Sequence, residues 1–381
     1  MRFIHFAGLF FATLIFVTLF VGIMLNSVSS TQNFPSVYIG IYAGSTDLQE
    51  LKNLADEVKS YTNLFVVGSL AITWDLVNLT NICQQLNDNG ETFLVFAHPE
   101  PSVPFTEWVR GAQQKWSKHF LGLYAYDEPG GYQIDKTDYM AAGEADNYSD
   151  AAIKYVENVT NWLDMLRRFS GTDLPMFASD YALYEYDYRA GYDGVFAQFG
   201  WNSSRALNVA LCRGAATVHS KSWGAIITYT YTEPPYLASG KQVYDDLIYA
   251  YQNNANYILL FDYNINSTLS MLKPEHFDAL KQFWQYVKAN PRELTSTNGR
   301  TAYVLPKDYG FGFRGPLDTM WGLWDADGES AKIWKDSARL VQQHRSKLDI
   351  IYEDTLELNL SAYRQLIFWN GTTLNAPFCT P

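Results

Sequence analysis

The stretch GVFAQF at 194–199, SSRALNVALCRGAATVH at 203–219 and WGAIITY at 223–229 decides the fold. Its first and last runs are short, apolar and rich in β-branched or aromatic residues, as buried strands are. The middle run carries apolar residues at helical spacing, and Ser203 stands where an N-cap belongs. Two strands joined through a helix are parallel neighbours, because a parallel pair needs a long crossover between its ends.

Outward from this unit the same pattern repeats. Candidate strands fall at 37–42, 64–70, 92–97, 122–126, 175–179, 194–199, 223–229 and 257–261. Helical patterns at 47–61, 106–120, 151–169, 203–219, 241–253 and 274–289 lie among them, the first capped by Asp47. Strand starts recur every 27–34 residues over much of the region. Eight such units predict a closed (β/α)8 TIM barrel over 36–290. Two intervals depart from the rhythm. A Gly/Asp/Tyr-rich insertion at 130–150 follows the fourth strand, and 181–192 must serve as a reduced helix after the fifth. An open doubly wound sheet would share the alternation, but it has fewer repeats and a Gly-rich phosphate turn, which does not follow the first strand here.

Beyond a linker at 291–299, strands at 301–305, 348–352 and 365–369 with a helix at 331–344 predict a small α/β domain over 300–381. A flavodoxin-like strand order is the expectation. Its first connection, 306–327, is long and rich in Gly, Trp and Phe, which favours packing against the barrel.

The chain of 381 residues is 48% apolar and carries a formal charge of −12. That field repels phosphate backbones, so nucleic acid is not an expected partner. With 27 Tyr, 23 Phe and 11 Trp, most rings belong to the core, and some suit the apolar faces of sugars. Cys83, Cys212 and Cys379 lack metal spacing, and the first two fall in helical patterns, as buried free thiols do. No metal-ligand motif or Walker loop appears, so neither a metal nor another cofactor is expected.

Residues 6–25 are uncharged, long enough to span a bilayer, and follow Arg2. Residues 1–30 are therefore expected to be a membrane anchor that leaves the rest outside the cell, or a signal segment if cleavage occurs near Ser27–Ser30. Sequons at Asn78, Asn147, Asn158, Asn202, Asn266, Asn359 and Asn370 agree with a cell-surface or secreted glycoprotein.

Barrel enzymes carry their reactive groups at the C-terminal ends of the strands. The expected strand ends here present Tyr42, Thr73-Trp74, His98, Asp127-Glu128, Asp180, Gln198 with Trp201, Glu233, and Asp262 with Asn264, without one Lys or Arg. Tyr229 and Tyr231 precede Glu233. Glu128 in YDEP and Glu233 in TEPP each precede proline, which favours an extended backbone at the acid. Two carboxyls facing each other across the mouth would meet the needs of glycoside hydrolysis, one as proton donor and one as nucleophile or base.

On these two motifs and the barrel, the sequence resembles the clan A glycoside hydrolases, with an acid/base Glu after strand four and a nucleophile Glu after strand seven. The resemblance implies a retaining enzyme with Glu128 as acid/base and Glu233 as nucleophile. Asp127, His98, Tyr42, Trp74, Asp180, Gln198, Trp201, Tyr229, Tyr231 and Asp262 would then be substrate contacts. A barrel followed by a small α/β domain is similar to the layout of family 42 β-galactosidases. Asp127 replaces the clan's Asn and sets a second negative charge beside Glu128, which raises that group's pKa. Adjacent Asp-Glu also looks like the family 20 hexosaminidases, in which the substrate's own acetamido group attacks. A glycan-binding or structural envelope protein on the same scaffold is the alternative, since fold does not dictate function. A deacetylase or peptidase barrel lacks its Ser-His pair or metal ligands here.

Overall fold

The computed structural model describes residues 37–97, 102–200, 203–228, 238–264, 267–292 and 299–378. Eight parallel strands close in sequence order: β1 (Tyr38–Ala43), β2 (Leu64–Val67), β3 (Thr92–Ala97), β4 (Phe120–Ala125), β5 (Met176–Asp180), β6 (Gly194–Phe199), β7 (Ser222–Ile227) and β8 (Tyr257–Asp262). β8 pairs with β1 over six residues, Tyr38 to Ala43 against Tyr257 to Asp262, and so removes both sheet edges. The expected barrel is the observed one.

The helices between the strands are α1 (Leu48–Val58), α2 (Leu70–Trp74), α3 (Leu76–Asp88), α4 (Val103–Trp116), α5 (Pro129–Ile134), α6 (Tyr148–Ser170), α7 (Tyr184–Ala190), α8 (Arg205–Val218), α9 (Gly240–Gln252) and α10 (Pro274–Ala289). Asp47 caps α1 by accepting from Glu50 N at 2.9 Å. The cap of α8 is Ser204, one residue past the expected Ser203, and it accepts from Leu207 N at 3.3 Å. The helix expected at 106–120 ends at Trp116, because Phe120 already belongs to β4 and packs against Phe93 of β3. The reduced helix expected at 181–192 is α7.

Strand alternation divides the core in two. Tyr42, Leu94, Phe96, Tyr124, Phe177 and Phe196 point inward and fill the barrel, while their chain neighbours face the helices. Large rings fit because the adjacent strand offers glycine at the same level. A Cβ on Gly194 would stand 2.7 Å from the ring of Phe177, and one on Gly224 would stand 2.6 Å from that of Phe196.

The second sheet runs β10 (Leu348–Tyr352), β9 (Arg300–Leu305), β11 (Tyr363–Phe368), β12 (Thr373–Asn375), and α11 (Ser330–His344) packs against it. Its three parallel strands have the 2-1-3 order expected of a flavodoxin-like sheet; β12 is an additional antiparallel strand. The described residues from Val37 onward form one compact unit, so the two sheets share a body. Gly214 of α8 lies so close to β10 that a Cβ there would stand 2.2 Å from Ile350 O. Cys83 and Cys212 are buried free thiols. Residues 1–30 and Cys379 lie outside the described residues; among those described, no helix is long and apolar enough to cross a membrane.

Glu91, before β3, is 2% exposed and receives a hydrogen bond from Thr62 Oγ1 at 3.0 Å. Burial pushes its carboxyl up to about 7. The folded state therefore binds this proton more tightly than the unfolded chain does. The resulting stability is fully present below pH 4.5 and is lost as pH rises through 7. Glu91→Gln should stabilise the protein by on the order of 2 kcal/mol at pH 8 and by nothing at pH 4. Urea melts at the two pH values test this, and equal shifts would refute it.

Candidate active site

Strand parity decides which polar side chains reach the mouth. On β5, Phe177 and Ser179 face the interior and Asp180 faces outward; on β6, Phe196 and Gln198 face inward. Ser179 and Gln198 therefore meet Asp127 and Glu128, which leave the end of β4. The Tyr124 hydroxyl and the Ser179 hydroxyl each donate to Asp127 Oδ1 at 2.8 Å. Gln198 Nε2 donates to Ser179 Oγ at 3.0 Å and to Glu128 Oε1 at 2.5 Å. Gln198 is held in turn by Asn208, which donates to its backbone carbonyl at 2.8 Å.

This chain of donors has one consistent polarity. Ser179 spends its proton on Asp127 and offers Gln198 only lone pairs, so the amide nitrogen must face it. The second N–H of that nitrogen then occupies Glu128 Oε1. A proton on Glu128 consequently resides on Oε2.

Burial, with the Asp127 charge next in importance, pushes Glu128 up to about 8; the Gln198 hydrogen bond opposes them. Burial also raises Asp127 from the usual carboxylate range, against its two hydroxyl donors. With its carboxyl pushed up to about 8, Glu128 holds a proton at neutral pH. This is the electrostatic arrangement of a general acid.

The backbone at Glu128 is not extended, contrary to the reading of its following proline. It is left-handed, with φ 52° and ψ 47°, a costly conformation for a side-chain-bearing residue. Asp180 compensates. Its carboxylate accepts from Gly130 N at 2.6 Å, Gly131 N at 2.9 Å, Tyr181 N at 2.7 Å and Ala182 N at 3.1 Å. It thereby caps the first turn of α5, which begins directly after Glu128. Asp180 is fully buried and positions the acid; it does not face a ligand.

The remaining candidates divide further. Tyr42 is buried in the mouth, its hydroxyl donating to Gly68 O at 3.1 Å, and burial followed by the charges of Asp127 and Glu128 raises its phenol. Asp262 faces outward from β8 and accepts from Met271 N at 2.9 Å, so it closes the following loop instead of lining the mouth. Trp74 ends α2 with 66% of its surface exposed. Glu233, His98, Trp201, Tyr229 and Tyr231 lie outside the described residues. β7 stands three strands round the barrel from β4, one short of diametrically opposite.

Two contributors escaped the sequence reading: Ser179 and Tyr124. Counting by twos from the apolar strand centres would have identified both. The 306–327 connection packs against α5 as its aromatics suggested. Gln133 Nε2 donates to Trp321 O at 2.8 Å, and Trp321 is fully buried. Arg314 reaches the rim, where it pairs with Asp135 at the end of α5 and with Asp318 at 2.8 Å. Among the described residues no group of His, Cys, Asp and Glu is arranged to hold a metal.

No family model matches the chain, and no curated protein matches it in sequence. Solved structures match in shape. GH5_18 from Streptomyces cattleya, in complex with GlcNAc, aligns with a TM-score of 0.57 at 10% identity over 88% of this chain and 99% of that one. The β-galactosidase of the psychrophilic Marinomonas ef1 gives 0.56 at 9% identity over 87% and 72%. The shared fold is the (β/α)8 barrel. α-L-Fucosidase isoenzyme 2 from Paenibacillus thiaminolyticus aligns similarly, with a TM-score of 0.52 at 9% identity over 86% of this chain and 59% of that one. At such identities the likeness is one of fold, and the chemistry must be argued from the side chains.

Proposed function

We propose that this protein is a glycoside hydrolase that uses Glu128 as its acid/base residue. The observation that carries this reading is a half-buried, proton-holding Glu128 at the exit of β4, with one oxygen tied to Gln198 and the other left for a ligand. In the first step Glu128 Oε2 protonates the glycosidic oxygen as the bond from that oxygen to the anomeric carbon breaks. Glu233 is the proposed nucleophile and bonds to the anomeric carbon as the leaving group departs. Glu128, now ionised, then takes a proton from water, and the resulting attack releases the sugar and frees Glu233 with retention of configuration. No cofactor is needed for either step.

Carbohydrate is the proposed substrate class. The apolar run at 6–25 and the sequons favour action outside the cell, on surface or environmental glycans, from a membrane-anchored or secreted protein. The test is turnover of aryl-glycosides and oligosaccharides by the wild type, Glu128→Gln and Glu233→Gln. Loss in both variants, with folding retained, supports the two-carboxylate mechanism. Loss in Glu128→Gln alone favours attack by the substrate's own acetamido group. Affinity for glycans without cleavage of any would replace the enzyme with a binding protein.

A further inference from the structure

A second pocket lies on the outer side of β4, away from the barrel axis. Tyr126, Tyr139, Met140, Asn158 and Trp162 line it, around a volume of about 240 Å³. The Tyr126 and Trp162 rings meet edge to face at 5.3 Å, and the Tyr126 hydroxyl donates to Tyr139 O at 3.0 Å, which fixes the wall nearest the active site. Tyr139 is 68% exposed, a large ring left open to solvent at the pocket's edge. Asn158 commits its Nδ2 to Ala141 O at 2.6 Å, so its side-chain oxygen remains an acceptor.

One further ring stands between the pocket's rings and the field of the carboxylate pair. Tyr132 of α5 stands 6.0 Å from the Tyr126 ring and 5.8 Å from the Tyr139 ring, and its own phenol lies within the field of Asp127 and Glu128. Aromatic rings therefore run in contact from Tyr132 over Tyr126 to Trp162. A volume below the roughly 300–1,000 Å³ of drug-sized sites suits a small unit of a larger ligand. Flat ring faces with a nearby amide oxygen match the apolar face and hydroxyl edge of a pyranose.

We propose that this pocket is a remote subsite that binds one sugar unit of an oligosaccharide whose scissile bond lies at Glu128. The inference rests on the hydrolase reading for its substrate, and it adds that the substrate is a chain of several sugars extending past β4. The alternative source of the same chemistry is the chain's own glycan at the Asn158 sequon.

The experiment is calorimetric titration of Glu128→Gln, produced in a host that does not glycosylate, with cello-, manno-, galacto- and chito-oligosaccharides of two to six units. At least one series should bind more tightly as length increases. Adding Trp162→Ala should weaken the longest member roughly tenfold and flatten the gain with length. Tyr139→Ala, at an exposed position where folding is not at stake, should act in the same direction. Unchanged length dependence in both double variants would overturn the subsite, as would no binding by any probe. An effect of these variants confined to protein from a glycosylating host assigns the pocket to the Asn158 glycan and also overturns it. Trp162-dependent binding without cleavage by the wild type removes the hydrolase and leaves the subsite; cleavage with no Trp162 dependence does the reverse.

Discussion

Glu128→Gln should lower kcat/KM on unactivated oligosaccharides by a factor on the order of 10³. The substitution keeps the shape of the side chain and its contact with Gln198 but removes the transferable proton. The loss should shrink on dinitrophenyl glycosides, whose leaving group departs without protonation. With Glu128 as the proposed acid, the protonated form is the active one, so the rate should fall as pH rises through about 8. That limb should vanish in Glu128→Gln. Removing the Gln198 donor with Gln198→Met disfavours the ionised carboxylate, and the limb should then move to higher pH. A wild-type limb that persists in Glu128→Gln would assign the titration, and the acid role, to another group.

Asp349→Ala should cost about 3–5 kcal/mol of stability. Asp349 of β10 is fully buried and pairs with Arg213 Nε of α8 at 2.7 Å and with Arg300 of β9 at 2.8 Å. Arg213 also donates to Leu348 O at 2.8 Å and to Asn253 Oδ1 at 3.0 Å. Truncating the acid leaves two guanidinium groups against each other at the seam between the barrel and the second sheet, without an anion. Urea denaturation measures the cost. Replacing the whole triad by apolar residues of similar volume should be far milder, because the penalty comes from stranding the charges. A loss below about 1 kcal/mol for Asp349→Ala would mean that the seam hydrates freely.

The two predictions touch one another through the 306–327 connection. The second sheet anchors that segment, Trp321 fills the space beside α7 and α6, and Gln133 ties it to α5. The helix that follows Glu128 thus leans on the connection that leads into the C-terminal sheet.

Sequence alone was enough to determine the eight-stranded barrel, its β-α rhythm, the α/β character of the following module and the position of Glu128 at the end of β4. Those features are local or periodic: buried runs, helix caps and repeat spacing survive in one dimension. The tertiary structure decided what each acid does. Asp127, Glu128, Asp180 and Asp262 all stand at strand ends, yet strand parity and loop closure turn Asp180 and Asp262 onto backbone N–H groups. Asp127 and Glu128 are instead joined to Ser179 and Gln198 from neighbouring strands. The left-handed turn at Glu128 overrode the local preference imposed by Pro129, because the hydrogen bonds from Gly130 and Gly131 to Asp180 and the packing of α5 outweigh the strain of one residue. A proton's place on one oxygen of Glu128 depends on partners 50 to 70 residues away in the chain, a relation that no local pattern carries.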